Sequence, residues 1–346
     1  MKKVIHKIGF IFLSMLLAIQ SCSDKIIEDD PLGTVTGGDK MVPIALDIEG
    51  IISANTYGPD YGNEVDVPGS AVENAVNDIV VYIFDNTFTC EKILHGVTAP
   101  VGPEMIKIRV KHFIAVVNAQ ANIPALFPLP LTNPSSVSYP ALRKMLSEAK
   151  TQLPASPFLM VGQKLGVTIT DQMGAINPYR VTIDVERAVA KITISFTKSG
   201  LALLHNITLQ EVIMYKGANK IYLLDKPDSD DIIYGLSTTK NSFIPSGVVN
   251  NSPSYNYLAD TIYTYASASG PDTTKAVRFE IKAAINSPTN IRTAKFILGE
   301  YERSSGDTVY DIRRNYWYDV KVNAKDPGMD SIYVTVSASP DRKSVV

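Results

Sequence analysis

Histidines, cysteines and clustered acids are the side chains of this chain best suited to chemistry, and their spacing argues against catalysis. His6, His95, His112 and His205 are scattered. They form no His-Glu-x-x-His pair and have no carboxylate at metal-ligand spacing, so no metal site is expected. Asp228-Ser229-Asp230-Asp231 follows Pro227, which reads as a solvated turn rather than a calcium loop. Gly-x-Ser-x-Gly and phosphate-loop patterns are absent, so the nucleophile elbow and the phosphate cradle are missing too. The chain is expected to be no enzyme and to need no cofactor.

Cys22 is the exception, because its neighbours give its thiol a use. Lys2, Lys3 and Lys7 precede an apolar run over residues 8–19, and Ile19-Gln20-Ser21-Cys22 closes it. This is the n-region, h-region and small-residue cut of a secretory signal. Twelve residues fall short of the roughly 20 that a helix needs to cross a bilayer. Residues 1–21 are therefore a signal peptide to be removed. Ile19-Gln20-Ser21-Cys22 resembles a bacterial lipobox, which implies that Cys22 becomes the acylated first residue, palmitate among its chains. Buried acyl chains would then anchor the protein to the outer membrane, at about 0.8 kcal/mol per CH₂. Residues 22–40, with Asp24, Glu28, Asp29, Asp30, Gly33, Gly37, Gly38 and Asp39, are too polar for a core and form a tether.

Removing Lys2, Lys3 and Lys7 leaves 30 basic against 35 acidic residues, a balance that gives nucleic acid no reason to bind. With Cys22 claimed by lipid, only Cys90 remains, so no internal disulfide is available. Stability must come from packing, and a mature chain of 325 residues has room for about two domains.

From residue 41 onward the dominant pattern is short alternating runs broken by Gly, Pro, Asn and Asp, the mark of an all-β chain. Ile44, Leu46 and Ile48 alternate with Ala45, Asp47 and Glu49. Residues 79–84 and 113–117 are apolar on both phases. Val181, Ile183 and Val185 are followed by a second face of Ala188, Ala190, Ile192, Ile194 and Phe196. Further strands are expected over residues 206–215, 220–224, 276–283, 293–298, 316–322 and 331–336. Pro140 with Leu142, Met145, Leu146 and Ala149 predicts one helix over 140–150. No βαβ alternation appears, so sandwiches are expected rather than a parallel sheet. A boundary near 185–187 gives an N-terminal domain, 41–186, and a C-terminal domain, 187–346.

Four stretches carry a resemblance to a family. They are the lipobox with its tether and the strand 42–49; Val76-Asn77-Asp78-Ile79-Val80-Val81-Tyr82-Ile83-Phe84 with Phe113-Ile114-Ala115-Val116-Val117-Asn118; Val185-Glu186-Arg187-Ala188-Val189-Ala190-Lys191-Ile192; and Arg314-Asn315-Tyr316-Trp317-Tyr318-Asp319-Val320-Lys321-Val322. In this order they resemble the fimbrillins, the structural subunits of type V pili of Bacteroidota. The acidic tether also resembles the surface-export signals of lipoproteins from that group. The resemblance implies two transthyretin-like β-sandwich domains in tandem and a place in a cell-surface fimbrium. It further implies a role in cell adhesion, other fimbrial subunits as partners, and assembly by donor-strand exchange. Ile44, Leu46 and Ile48 would be the exchangeable first strand. Ile332, Val334 and Val336, alternating with Tyr333 and Thr335, would be the donor; the same residues read as well as the closing strand of the second domain.

One departure matters. Shaft-forming fimbrillins resemble one another in an arginine just after the first strand, where a trypsin-like protease cuts. Here the first arginine is Arg109, and the expected cleavage region, residues 53–62, has neither Arg nor Lys. A protease of other specificity cutting near Asn55-Thr56-Tyr57 keeps the shaft role open. A strand that is never removed makes a lipid-retained pilus anchor or accessory subunit, although the paired N-terminal cysteines of the anchor family are missing. A third alternative is a surface glycan-binding lipoprotein, for which Tyr255, Tyr257, Tyr263 and Tyr265 would supply an aromatic platform. Asp260-Thr261-Ile262, Asp307-Thr308-Val309 and Asp330-Ser331-Ile332 resemble an O-glycosylation sequon.

Overall fold

The computed structural model describes residues 40–50, 73, 75–124, 134–171, 173, 178–225, 232–267, 269–298, 300–301, 308–326 and 332–340. The signal peptide, Cys22, the tether up to residue 39 and the expected cleavage region lie outside them, as do Asp307, Asp330 and Ser331. Two sets of strands account for most of what is described. The first comprises β1 (Met41–Gly50), β2 (Ile79–Phe84), β3 (Cys90–Gly96), β4 (Val101–Lys107), β5 (Val110–Val117), β6 (Met160–Thr168) and β7 (Tyr179–Arg187). They join in one sheet of order β3-β2-β5-β6-β7-β1-β4. Between β5 and β6 lie two short helices, α1 (Ala119–Asn122) and α2 (Tyr139–Arg143).

The second set comprises β8 (Val189–Lys198), β9 (Ile207–Ala218), β10 (Tyr234–Lys240), β11 (Phe243–Ile244), β12 (Asn256–Leu258), β13 (Ile262–Tyr265), β14 (Arg278–Ile285), β15 (Ile291–Ile297), the pair β16 (Glu300–Tyr301) and β17 (Thr308–Val309), β18 (Tyr316–Ala324) and β19 (Ile332–Pro340). These give one sheet of order β10-β9-β14-β15 and another of order β11-β12-β8-β18-β19, with β13 also on β8.

The all-β expectation holds, and the two-phase apolar strands have a physical explanation. Ile79, Val81 and Ile83 of β2 and Phe113, Ala115 and Val117 of β5 face a core completed by Val42, Ile44, Leu46 and Ile48 of β1 and by Val181, Ile183 and Val185 of β7. The opposite phase, Val80, Tyr82, Phe84, Ile114 and Val116, faces a second core. That core takes in Tyr139, Leu142 and Phe158, and also Ala188, Val189, Ile221, Leu223 and Tyr265 from the chain beyond β7. A strand apolar on both faces is buried on both faces. A third core lies between Ala190, Ile192, Ile194 and Phe196 of β8, with Val320 and Val322 of β18, and Val212, Met214, Phe279 and Ile281 of β9 and β14.

Gly162 marks the point where the first sheet turns over on itself. A Cβ there would lie 1.7 Å from the carbonyl oxygen of Asp184, so only glycine lets β6 approach β7, which it pairs through Met160 with Arg187 and Val161 with Glu186.

Two expected elements are corrected. The helix read over 140–150 is the five-residue α2, whose N-cap Ser138 accepts a hydrogen bond from the Ala141 amide. Leu146 lies past its end, in a bridge with Tyr222. Met145 and Leu146 pack on the second core from an extended segment rather than from a helical face. The strand read over 220–224 is only that bridge, its buried Ile221 and Leu223 plugging the same core from irregular backbone. Strand β4 went unread because Gly102 and Pro103 interrupt it. Proline is tolerated in an edge strand, and β4 is one.

Candidate functional site

The residues read as an exchangeable first strand sit at a structurally singular place. Strand β1 pairs antiparallel with β4, Ile44 opposite Glu104, and parallel with β7, where Ile44, Leu46 and Ile48 oppose Tyr179, Val181 and Ile183. Val42, Ile44, Leu46 and Ile48 are all buried. Among the described residues β4 has no other neighbour in the sheet. Withdrawing β1 would therefore open a groove between β4 and β7, floored by Val81, Ile83 and Phe113 and lined by unpaired ladder groups. The chain leaves β1 at Gly50, opposite Val185, and is next described at Glu73, paired with Arg187 two residues along.

The tail strand is held differently. β19 is an edge strand, antiparallel to β18 along its whole length, Val334 opposite Val322 and Val336 opposite Val320. Val334 and Val336 are half-buried on the third core, while Tyr333 is 59 % exposed beneath the Lys325 ammonium. The Ile332 side chain lies outside the described residues. In this chain, then, the candidate donor closes its own sheet.

Comparing the two halves isolates β19. In each, the first strand lies parallel to a late one, β1 to β7 and β8 to β18, with antiparallel partners on its far side. In each, four strands follow the same path, β3-β2-β5-β6 and β10-β9-β14-β15. β7 runs straight on into β8, whereas β18 is followed by β19. Among the described residues β19 is a strand added outside the repeat.

The motif segments meet in space. The Arg187 guanidinium, 2 % exposed, donates from Nε to Asn315 Oδ1 at 3.2 Å and lies 3.8 Å from Glu73 Oε2. Glu73, equally buried, also takes the Lys191 ammonium at 3.0 Å and the Tyr263 hydroxyl. Arg314 donates to the carbonyls of Tyr222 and Leu223. Burial raises the pKa of Glu186, and Arg314, 3.5 Å away, opposes that rise. The Trp317 indole donates to Thr193 at 2.8 Å across the parallel β8–β18 pair. Asn118, in the left-handed region at φ 60°, receives the Asn77 amide and donates to the carbonyls of Ala75 and Phe158. Arg187, Glu73 and Glu186 clamp the junction of the halves, Asn118 clamps the first half and Trp317 the second, a use that strand periodicity does not show.

The residues examined for chemistry are apart. Among the described residues no three His, Cys, Asp or Glu stand close enough to hold a metal, and no helix is long and apolar enough to cross a membrane. Burial pushes the Cys90 thiol up to about 11, which keeps it protonated and unreactive. Of the tyrosines expected as a glycan platform, Tyr257 is exposed, Tyr255 and Tyr263 are half-buried, the latter with its hydroxyl on Glu73, and Tyr265 is buried.

No family model and no curated protein matches the sequence. Solved structures do match. The tip fimbrial protein Mfa3 from Porphyromonas gingivalis, with a C-terminal truncation, superposes with a TM-score of 0.57 at 12 % identity, over 87 % of this chain and 99 % of that one. A cell adhesion protein of Parabacteroides distasonis gives 0.56 at 15 %, over 88 % and 98 %. One from Bacteroides eggerthii gives 0.51 at 13 %, over 88 % and 97 %. The chain thus has the fold of Bacteroidota fimbrial and adhesion proteins. That is the fold the motif segments led one to expect of a fimbrillin.

Proposed function

We propose that this chain is a non-enzymatic structural subunit of a cell-surface fimbria. It is exported as a lipoprotein acylated at Cys22 and assembled by donor-strand exchange, with adhesion as the role of the fibre. Its division into sandwiches over 41–186 and 187–346 belongs to the same reading. The observation that carries it is the placing of β1. This strand supplies four buried apolar side chains to one core, is the sole neighbour of the edge strand β4, and joins the rest of the chain through residues 51–72. A tail strand from another subunit, presenting Ile332, Val334 and Val336, would refill the groove by strand addition.

Magnitudes decide which strand moves more easily. β1 holds four buried side chains and two ladders; for β19, Val334 and Val336 are half-buried and there is one ladder. At about 1.5–3 kcal/mol per fully buried aliphatic side chain, β1 is held more firmly by several kcal/mol. The tail can detach from its own sheet, while β1 leaves only once the chain after it is cut. Residues 51–72 contain no Lys or Arg. That supports a second reading, a lipid-retained anchor or accessory subunit in which a trypsin-like protease never frees β1.

Intact mass and N-terminal sequencing of the protein recovered from the cell surface test both. A start beyond residue 50 with fibres co-purifying supports the shaft subunit, and a start at acylated Cys22 with fibres supports the anchor. Acylated protein with no associated fibre refutes both.

A further inference from the structure

Between the two halves lies a cavity of about 550 Å³ to which neither β1 nor β19 contributes. One wall is the segment 151–156 and the other is β10 with β13. The volume falls within the roughly 300–1,000 Å³ of small-molecule sites.

Its lining narrows the chemistry of an occupant. Hydroxyl groups come from both walls, Thr151 and Ser156 on one, Ser237, Thr238 and Thr261 on the other, with the Gln152 amide beside them. A hydroxyl both donates and accepts, and an amide adds two donors and an acceptor, so the walls suit a ligand that is itself rich in hydroxyls. The deep end is different. There the Tyr263 ring stands 4.6 Å from Phe158, and the buried Glu73 carboxylate holds the Tyr263 hydroxyl. Phe158 is buried, so it backs the half-buried Tyr263 ring, which offers an apolar body beside a polar rim, the combination that packs against the C–H face of a sugar ring.

Other occupants fit poorly. The cationic lining residue is Lys240, engaged by Asp260 at 3.2 Å, and the Glu73 carboxylate is already matched by Lys191 and Arg187. A phosphate or acidic ligand would find that lining ammonium already engaged. A purely apolar ligand would take the hydroxyls of Thr151, Ser237, Thr238 and Thr261 out of water, at about 1–3 kcal/mol for each left unpaired.

From this geometry we infer that the cavity binds a short neutral saccharide. It is a recognition site separate from the strands that would build a fibre, so its failure and that of the fimbrial reading are independent. Neutral disaccharides of glucose, galactose and N-acetylglucosamine are the ligands to try: maltose, cellobiose, lactose and diacetylchitobiose, each at millimolar concentration with the full chain. Saturation-transfer difference NMR reads binding. At least one of them should take up saturation, and Thr238→Trp, which fills the cavity from β10, should abolish the signal while leaving the thermal melting curve unchanged. Gln152→Trp fills it from the opposite, exposed segment and serves if the first variant does not fold. The inference is overturned if none of the four sugars takes up saturation, or if the signal persists undiminished in a folded cavity-filling variant.

Discussion

If β1 is a separable strand, one side chain should govern how fast it leaves. Consider a chain with a specific protease site inserted between residues 60 and 61, cut after folding, so that residues up to 60 remain bound only through contacts. Leu46 is 0 % exposed at the centre of β1, against Val81, Ile83 and Ile183 of the same core. Leu46→Ala removes this anchor at about 2–5 kcal/mol, including the cavity left behind. With about 1.4 kcal/mol per factor of ten, the segment's dissociation constant should rise roughly 30-fold to several-thousandfold. Met41, 42 % exposed at the start of the same strand, is the control, and Met41→Ala should change stability by about 0.5 kcal/mol or less. Native mass spectrometry of the cut protein, challenged with excess peptide of sequence 332–340, reads both retention and replacement. Loss at the same rate from the Leu46 and Met41 variants would refute the claim that inward packing holds β1. So would displacement of the wild-type segment as fast as that of the Leu46 variant.

Further outcomes are expected at the junction, the sheet crossing and β5. Arg187→Ala should destabilise the chain by about 1–3 kcal/mol in urea denaturation, because it leaves the buried Glu73 carboxylate to Lys191 and takes the guanidinium hydrogen bond from Asn315. Gly162→Ala sets a methyl against the Asp184 carbonyl. It should cost more than about 4 kcal/mol, read as loss of soluble protein or of the cooperative melt. His112 is held neutral, burial pushing its pKa below 6.5 and its Nδ1 accepting the Gly166 amide at 3.0 Å. The unfolded chain therefore takes the proton first. This contribution to stability is whole above about pH 6.5 and is lost as the pH falls from there through the depressed native value. His112→Phe, which keeps the stack on Phe88, should flatten that part of the pH profile of the melting temperature.

Strands with one buried face were legible because alternation records which side is dry. β1 and β8 were read on the correct phase from Ile44 to Ile48 and from Ala190 to Phe196, whereas Ala188, read on the same face as Ala190, belongs to the second core because it precedes β8. Partners were not legible. Nothing in the alternation of β1 says that its parallel neighbour lies some 135 residues away, since Leu46 meets Val181 only through the path of the chain. Residues 140–150 and 220–224 were misread for one reason. Each carries apolar residues into the second core from bridged or irregular backbone, so burial imitates the periodicity of a helix or strand. At the candidate site the apolar strands were readable, whereas the Arg187–Glu73–Lys191 group was not. Its members stand far apart in the chain, and only the fold makes them neighbours.

The parallel pairing of each half's first strand with a late one also sets an order of events in time. A chain made from its N-terminus presents residues 41–50 long before residues 179–187 exist to receive them. The first strand must wait, and its half cannot close until β7 arrives. The same delay separates β8 from β18. Contacts of such separation bear a large loop-closure entropy and form slowly. The first half should therefore stay open until β7 has been made, with β1 among the last pieces to settle. A strand that docks last onto an otherwise finished sheet is also the strand that another of like pattern can replace without refolding the rest.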